Sequence, residues 1–254
     1  MSMMDIHNSS IPSEGTLGVD ITELTPVEKA ILKILACKGP KTYYELYARE
    51  GAGSRGAVNQ ALKRLAKKRL IEIKRKEPSR SGLEKKYYGL TFLGLHIVIV
   101  LGFIKPEQGY QIMARDNIQI PKYRINMGEL IEKIVEEFPS PIAYAIVKPL
   151  KKLSPNILFN VTEEVAKTYP KDFFSCISRI IDLRKIKDMK EYVGYVTLVA
   201  SSLLTTGFWS HKYDLSDSKE LEKLASKIWK AYPPAFRKKL KELYRIVHEN
   251  MSKL

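Results

Sequence analysis

The chain has 254 residues, 44% of them hydrophobic and 9% aromatic, and its 43 Lys and Arg against 28 Asp and Glu leave a net charge of +15. That apolar content excludes a disordered chain, the length accommodates two ordinary domains, and the cation excess points to a polyanion or an acidic surface as partner. Cys37 and Cys176 fall in neither a metal-ligand nor a C-x-x-C spacing, which argues against a disulfide framework and reads as two small core residues in a reducing compartment.

The charge is unevenly spread. Residues 1–24 carry four acids and no base, residues 25–104 carry 17 bases and six acids, and residues 105–254 carry 26 bases and 18 acids. The opening MSMMDIHNSS lacks the apolar run of a secretory signal, so a cytoplasmic location is expected. Residues 1–24 have no hydrophobic period and are predicted to form a flexible arm.

Order is predicted to begin at Thr25-Pro26-Val27-Glu28, which combines an N-cap hydroxyl, a proline in the first turn and a Glu at the third helical position. The helix that follows is predicted to bury Val27, Ala30, Ile31, Ile34 and Leu35 and to end at Gly39-Pro40. Thr42-Tyr43-Tyr44-Glu45 repeats the box and opens a short second helix to about Glu50. Gly51-Ala52-Gly53 supplies a turn, and Ser54 caps a third helix reaching Arg69. Leu70 to Lys76 alternates as a half-buried strand does, residues 77–82 read as a loop, and residues 86–90 read as a returning strand. Thr91 then caps a helix in the uncharged run 92–104.

Residues 51–56, GAGSRG, also fit the G-x-G-x-x-G pattern that closes a backbone around a dinucleotide pyrophosphate, and Glu72 stands about where a ribose-binding acid belongs. That chemistry needs the glycines to follow a buried strand. They follow TYYELYARE, which carries a helix cap and no run of Val, Ile or Leu, and no alternation of strand and helix appears downstream.

The helix opened by Ser54 supports a different chemistry. Val58, Ala61, Leu62 and Leu65 form one apolar stripe, and Arg55, Asn59, Gln60, Lys63 and Lys67 fall on the opposite side. Arg and Lys suit guanine acceptors, and Asn or Gln suits adenine. Arg64, Lys67, Lys68 and Arg69 are placed for phosphates.

With these elements in order, residues 25–104 resemble the winged helix-turn-helix domain of bacterial and archaeal transcription regulators, among them the MarR-like and PadR-like groups. The resemblance rests on Ser54-Arg55-Gly56-Ala57-Val58 running through Leu65 to Leu70-Ile71, and on Tyr88-Gly89-Leu90-Thr91 with Gly94. It implies that residues 54–69 read the DNA major groove. It also implies that Arg80, Lys85 and Lys86 lie on a wing touching the minor groove or its phosphates. A homodimer is expected from the operators such domains meet, with residues 92–104 as first candidate for its interface.

Residues 105–125, with Pro106, Gly109 and Pro121, read as a linker. From residue 126 the periods are helical: Met127, Leu130, Ile131, Ile134, Val135 and Phe138 share a stripe, and further helices are predicted near 142–153, 156–168, 171–187, 189–209, 217–231 and 235–251. The fold class is therefore mainly α, an amino-terminal winged helix followed by an all-α bundle in residues 126–254. The uncharged runs 92–104 and 192–209 are respectively too short and too rich in Ser, Thr and Gly for a membrane span.

The bundle shows no catalytic constellation, its histidines lack metal-ligand spacing, and no cofactor is implied. Tyr192, Tyr195, Trp209 and His211 border the uncharged run and are the candidates for a pocket taking a small-molecule or protein effector. The expected function is a sequence-specific, double-stranded-DNA-binding transcription regulator and not an enzyme, with Ile and Lys usage pointing to an archaeal or thermophilic source. A replication, partition or architectural DNA-binding protein of plasmid or chromosome is the alternative. A helical enzyme or RNA-associated factor using the domain only to dock is a third.

Overall fold

The computed structural model describes residues 17, 20–78, 84–123, 127–137, 148–209, 219–235 and 237–238, without the side chains of 127, 134–137 and 206–209. The described chain is mainly helical, with one small three-stranded antiparallel sheet near its amino end.

Helix α1 (Pro26–Lys38) begins with the predicted reciprocal cap. The Thr25 hydroxyl accepts from the Glu28 amide at 3.3 Å, and the Glu28 carboxylate accepts from the Thr25 amide at 2.8 Å. Its buried face is Ile31, Leu32, Leu35 and Ala36, while Val27, Ala30 and Ile34 are only partly covered. Gly39, at φ +75°, ends the helix.

A two-residue strand follows, β1 (Lys41–Thr42), which no local pattern announced. Thr42 also forms the second predicted box with Glu45, and this opens the single π-helical turn α2 (Glu45–Arg49), which buries Leu46. Ser54 then caps α3 (Arg55–Lys67), accepting from the Ala57 amide at 3.3 Å. The left-handed Arg69, φ +57°, turns the chain out of the helix.

Strand β2 (Ile71–Pro78) pairs with β3 (Glu84–Leu90), and β3 pairs in turn with β1, giving the order β1-β3-β2. An irregularity between Ile73 and Arg75 shifts the register so that Arg75 faces Tyr87 and Lys76 faces Lys86. Glu84 beside Lys76, at 3.1 Å, offsets part of that like-charge pairing.

Thr91 caps α4 (Phe92–Val100), accepting from the Gly94 amide at 3.0 Å. An ideal Cβ on Gly94 would stand 1.9 Å from the Leu70 carbonyl oxygen, so only glycine lets the helix start this close to the chain entering β2.

Three expectations are corrected here. Most of the predicted dimer interface 92–104 is not available: every residue from Phe92 to Ile99 is buried within its own chain, against α1 and the second half, and only Val100 to Phe103 reach the surface. An uncharged helix is apolar on all sides, so the nearest element covers it. Residues 105–123, the described part of the predicted linker 105–125, are not extended. They contain a 3-10 turn (Pro106–Gln108) and α5 (Gly109–Arg115), with Ile112, Met113, Ile118 and Ile120 buried. The end of the arm is docked as well. Leu17 donates its amide to the Lys187 carbonyl at 2.8 Å, Ile21–Glu23 form a 3-10 turn, and Leu24 is buried.

The second half comprises α6 (Met127–Glu137), a 3-10 turn (Lys148–Lys152), α7 (Pro155–Thr168), α8 (Pro170–Ile180), α9 (Met189–Trp209) and α10 (Lys219–Ala231). Helix α9 packs on α7, α8 and α10. The predicted helix 171–187 stops at Ile180. Asp182 accepts from the Arg184 amide at 3.2 Å and from its guanidinium, a local bond that competes with the helical ladder. Of the predicted helix 142–153 only the turn at 148–152 is described, and residues 239–254 lie outside the described residues.

The polar content of 192–209 is explained along α9. Thr197, Ser201 and Thr205 donate to the carbonyls of Val193, Thr197 and Ser201 at 2.8, 2.9 and 2.7 Å, so buried hydroxyls are satisfied within the helix. Among the described residues no helix is long and apolar enough to cross a membrane.

Three contacts lock the halves together. The Phe92 and Phe174 rings lie 6.3 Å apart, and Phe174 also sits where any side chain on Gly109 would fall. Arg115 donates to the carbonyls of Leu35, Ala36 and Cys37 at 3.2, 2.9 and 3.3 Å, capping the end of α1 while Asp116 holds its guanidinium. His96 Nδ1 and the Tyr192 hydroxyl are 2.9 Å apart, both fully buried. Cys37 is exposed at the end of α1 and is not the core residue its sequence context predicted, whereas Cys176 is half-buried and packs against the core.

Candidate nucleic-acid interface

The face of α3 that the chain covers is the predicted one, Val58, Ala61, Leu62 and Leu65. These residues seat the helix on α1, α2 and β2. The opposite row, Arg55, Asn59, Gln60, Lys63, Arg64 and Lys67, is exposed. Side chains four residues apart share a helix face, so Arg55, Asn59 and Lys63 form one line and Gln60, Arg64 and Lys67 another.

The cations in this row differ in their commitments. Arg64 is partly spoken for, because its Nε donates to the Glu28 carboxylate at 3.0 Å. Burial of that carboxylate disfavours its charge. The Thr25 amide, Arg64 and the Thr25 hydroxyl outweigh burial and hold its pKa below the ordinary value. Arg55, Lys63 and Lys67 make no ion pair among the described residues. Lys68 is the C-cap, half-buried, and Asp20 of the docked arm feels its charge.

The hairpin beside α3 exposes Lys85 and Lys86 on β3. Arg80 lies outside the described residues. At the hairpin base, Arg75 stacks over the Tyr87 ring at 4.0 Å while the Tyr87 hydroxyl donates to Glu77 at 2.7 Å. This brace ties the Tyr87 side chain of β3 to Arg75 and Glu77 of β2.

Between this segment and the start of α2 runs a groove of about 790 Å³, lined by Tyr43, Tyr44, Arg49, Lys85, Lys86 and Tyr87 among others. The sequence reading did not include it. The available signal was the two tyrosine pairs, 43–44 and 87–88, but only the β1–β3 pairing brings them together, with Thr42 opposite Tyr87.

Of the four candidates for an effector pocket, the side chains of two are described. Tyr192 is fully buried against Phe92 and stacked on His96, so it lines nothing open. Tyr195 is half-buried against the core. The Trp209 side chain and His211 lie outside the described residues. No cluster of His, Cys, Asp and Glu able to hold a metal occurs among the described residues. Comparison of the chain with protein-family models, with curated proteins and with solved structures finds no match.

Proposed function

We propose that the protein is a sequence-specific DNA-binding transcription regulator whose residues 25–104 act as a winged helix-turn-helix. One observation carries the reading. The outer row of α3 is cationic and amide-bearing and is exposed along its whole length. A helix of 13 residues whose inner stripe is fully committed to the core can enter a major groove as a rigid body. The element order α1-β1-α2-α3-β2-β3, with β1 added to the hairpin, supports the winged form.

In this reading Arg55, Asn59, Gln60 and Lys63 face base edges. Arg64, Lys67, Lys68, Lys85, Lys86 and Arg80 serve phosphates or the flanking minor groove, and Arg64 does so with one nitrogen already given to Glu28. The helical half serves as a dimerisation or effector module in the cytoplasm. Its dimer surface is one other than α4, which is buried within the chain.

The test is selection of bound sequences from a pool of random duplexes, followed by affinity measurements on the selected site and on random DNA. Arg55→Ala and Asn59→Ala are expected to lose about 1–3 kcal/mol of discrimination for each base contact removed, with random-duplex binding retained. Failure to enrich any sequence, or variants that discriminate as the parent does, overturns the reading.

A further inference from the structure

The groove between α2 and β3 has a chemistry that duplex phosphates do not need. Phosphates are satisfied by donors alone, and cations line this groove: Arg49, Lys85 and Lys86 make no ion pair among the described residues. Its acids are fewer: Glu45 accepts from the amide and hydroxyl of Thr42 at 2.8 Å each and feels the Arg49 charge, and Glu84 lies 3.1 Å from Lys76. The groove therefore presents net positive charge.

Aromatic faces accompany that charge. Tyr44 is 57% exposed, the largest exposure among the aromatic side chains described, although Tyr47 supports it edge-on at 5.5 Å between centroids. Tyr47 is in turn held by Tyr43 at 5.0 Å, so the ring platform is fixed. A firmly seated tyrosine with more than half its surface free, beside three unpaired cations, is the arrangement that takes one nucleic-acid strand: cations follow the backbone and the ring stacks a base. In a closed duplex the base faces are hidden within the stack, so Tyr44 has no use for intact duplex.

The groove is also continuous with the duplex-binding row. The Tyr43 hydroxyl donates to the carbonyl of Arg55, the first residue of α3, at 2.8 Å. A strand leaving a duplex seated on α3 meets this groove next.

We infer that the Tyr44 groove binds an unpaired DNA strand flanking the duplex, with a base stacked on Tyr44 and its phosphates on Arg49, Lys85 and Lys86. This rests on the reading of α3 as a duplex-binding helix. The protein is built to sit at a junction of paired and unpaired DNA, such as a melted promoter or an opened origin. The origin would favour a replication role over promoter control.

The experiment compares full-length protein binding to a blunt duplex and to the same duplex with a short unpaired thymidine tail on either strand, by fluorescence anisotropy. One tail is expected to raise affinity, and Tyr44→Ala to remove about tenfold of that gain while leaving blunt-duplex binding intact. Tyr44→Phe keeps the ring face and is expected to keep the gain. No gain from either tail overturns the inference and leaves the duplex reading standing. A gain insensitive to Tyr44→Ala, or an equal loss on blunt and tailed DNA, overturns it too. Tyr44-dependent binding of tailed DNA with no binding of blunt duplex supports the groove and sinks the duplex reading instead.

Discussion

The two halves of the molecule are both basic, and each pairs some of its cations and leaves others exposed without an ion pair among the described residues, as Lys219, Lys223 and Lys227 on α10 show. In the helical half Lys122, Lys133, Lys151, Lys167 and Arg184 each lie beside a carboxylate, with Glu163, Glu191, Glu132, Glu164 and Asp182 as partners. Such surface pairs contribute little stability individually, but they cancel the field a distant polyanion would feel. In the first half the pairs gather on α1 and β2, as in Lys38–Glu50 and Lys74–Glu72, and of the outer row of α3 only Arg64 is paired, which leaves Arg55, Lys63, Lys67 and the Lys85–Lys86 segment without an ion pair among the described residues. What differs is the company they keep: α3 carries no acid, whereas the exposed lysines of α10 share their helix with Glu220 and Glu222.

A second contrast is mechanical. Each half has its own apolar helices, but α4 of the first half is enclosed by the second, and Phe174, Arg115 and His96 bridge them. If the halves were independent, removing a bridging ring would leave the first half untouched. Phe174→Ala is expected to cost about 3–5 kcal/mol and to split one thermal unfolding transition into two, as read by calorimetry. Two transitions already in the parent would show the halves to be uncoupled, and a single transition at an unchanged midpoint in the variant would show that Phe174 does not couple them.

Acid sharpens the same contrast. Burial pushes the His96 imidazole down to about 4 from an ordinary 6.5, opposed only in part by the backbone of Ile177. The folded state therefore resists a proton that the unfolded chain accepts. Stability is full above pH 6.5 and falls as pH drops from there toward 4, by on the order of 3 kcal/mol. Denaturant titrations across that window should show the slope in the parent and a flatter one in His96→Gln.

The smallest expected effects lie on the cationic face. Lys67→Ala and Lys85→Ala are each expected to weaken selected and random duplex alike and to lower the salt slope of binding by about 1. A matching pair of substitutions at Lys151 and Lys167, each beside an acid, should leave both quantities unchanged. Equal effects in the two halves would dissolve the electrostatic contrast.

Local chemistry was legible wherever residues three or four positions apart act on each other. The caps at Thr25, Thr42, Ser54 and Thr91 form as the spacing requires, and the buried stripe of α3 is the one the sequence marks. Less legible were elements defined by distant partners. The strand Lys41–Thr42 exists only because β3 lies beside it, and Arg115 gives no hint in its own neighbourhood that it caps a helix some eighty residues earlier. The Tyr44 groove was missed for the same reason, since its walls come from α2 and from β3.

The sequence by itself determined the helical character, the cap positions, the inner and outer faces of α3 and the excess of positive charge, because each follows from backbone sterics and short-range periodicity. Tertiary structure alone decided which apolar helix is enclosed, that residues 105–123 pack instead of linking, and which cations stay unpaired. Burial and pairing depend on what lies opposite in space, and a one-dimensional pattern carries no record of that neighbour.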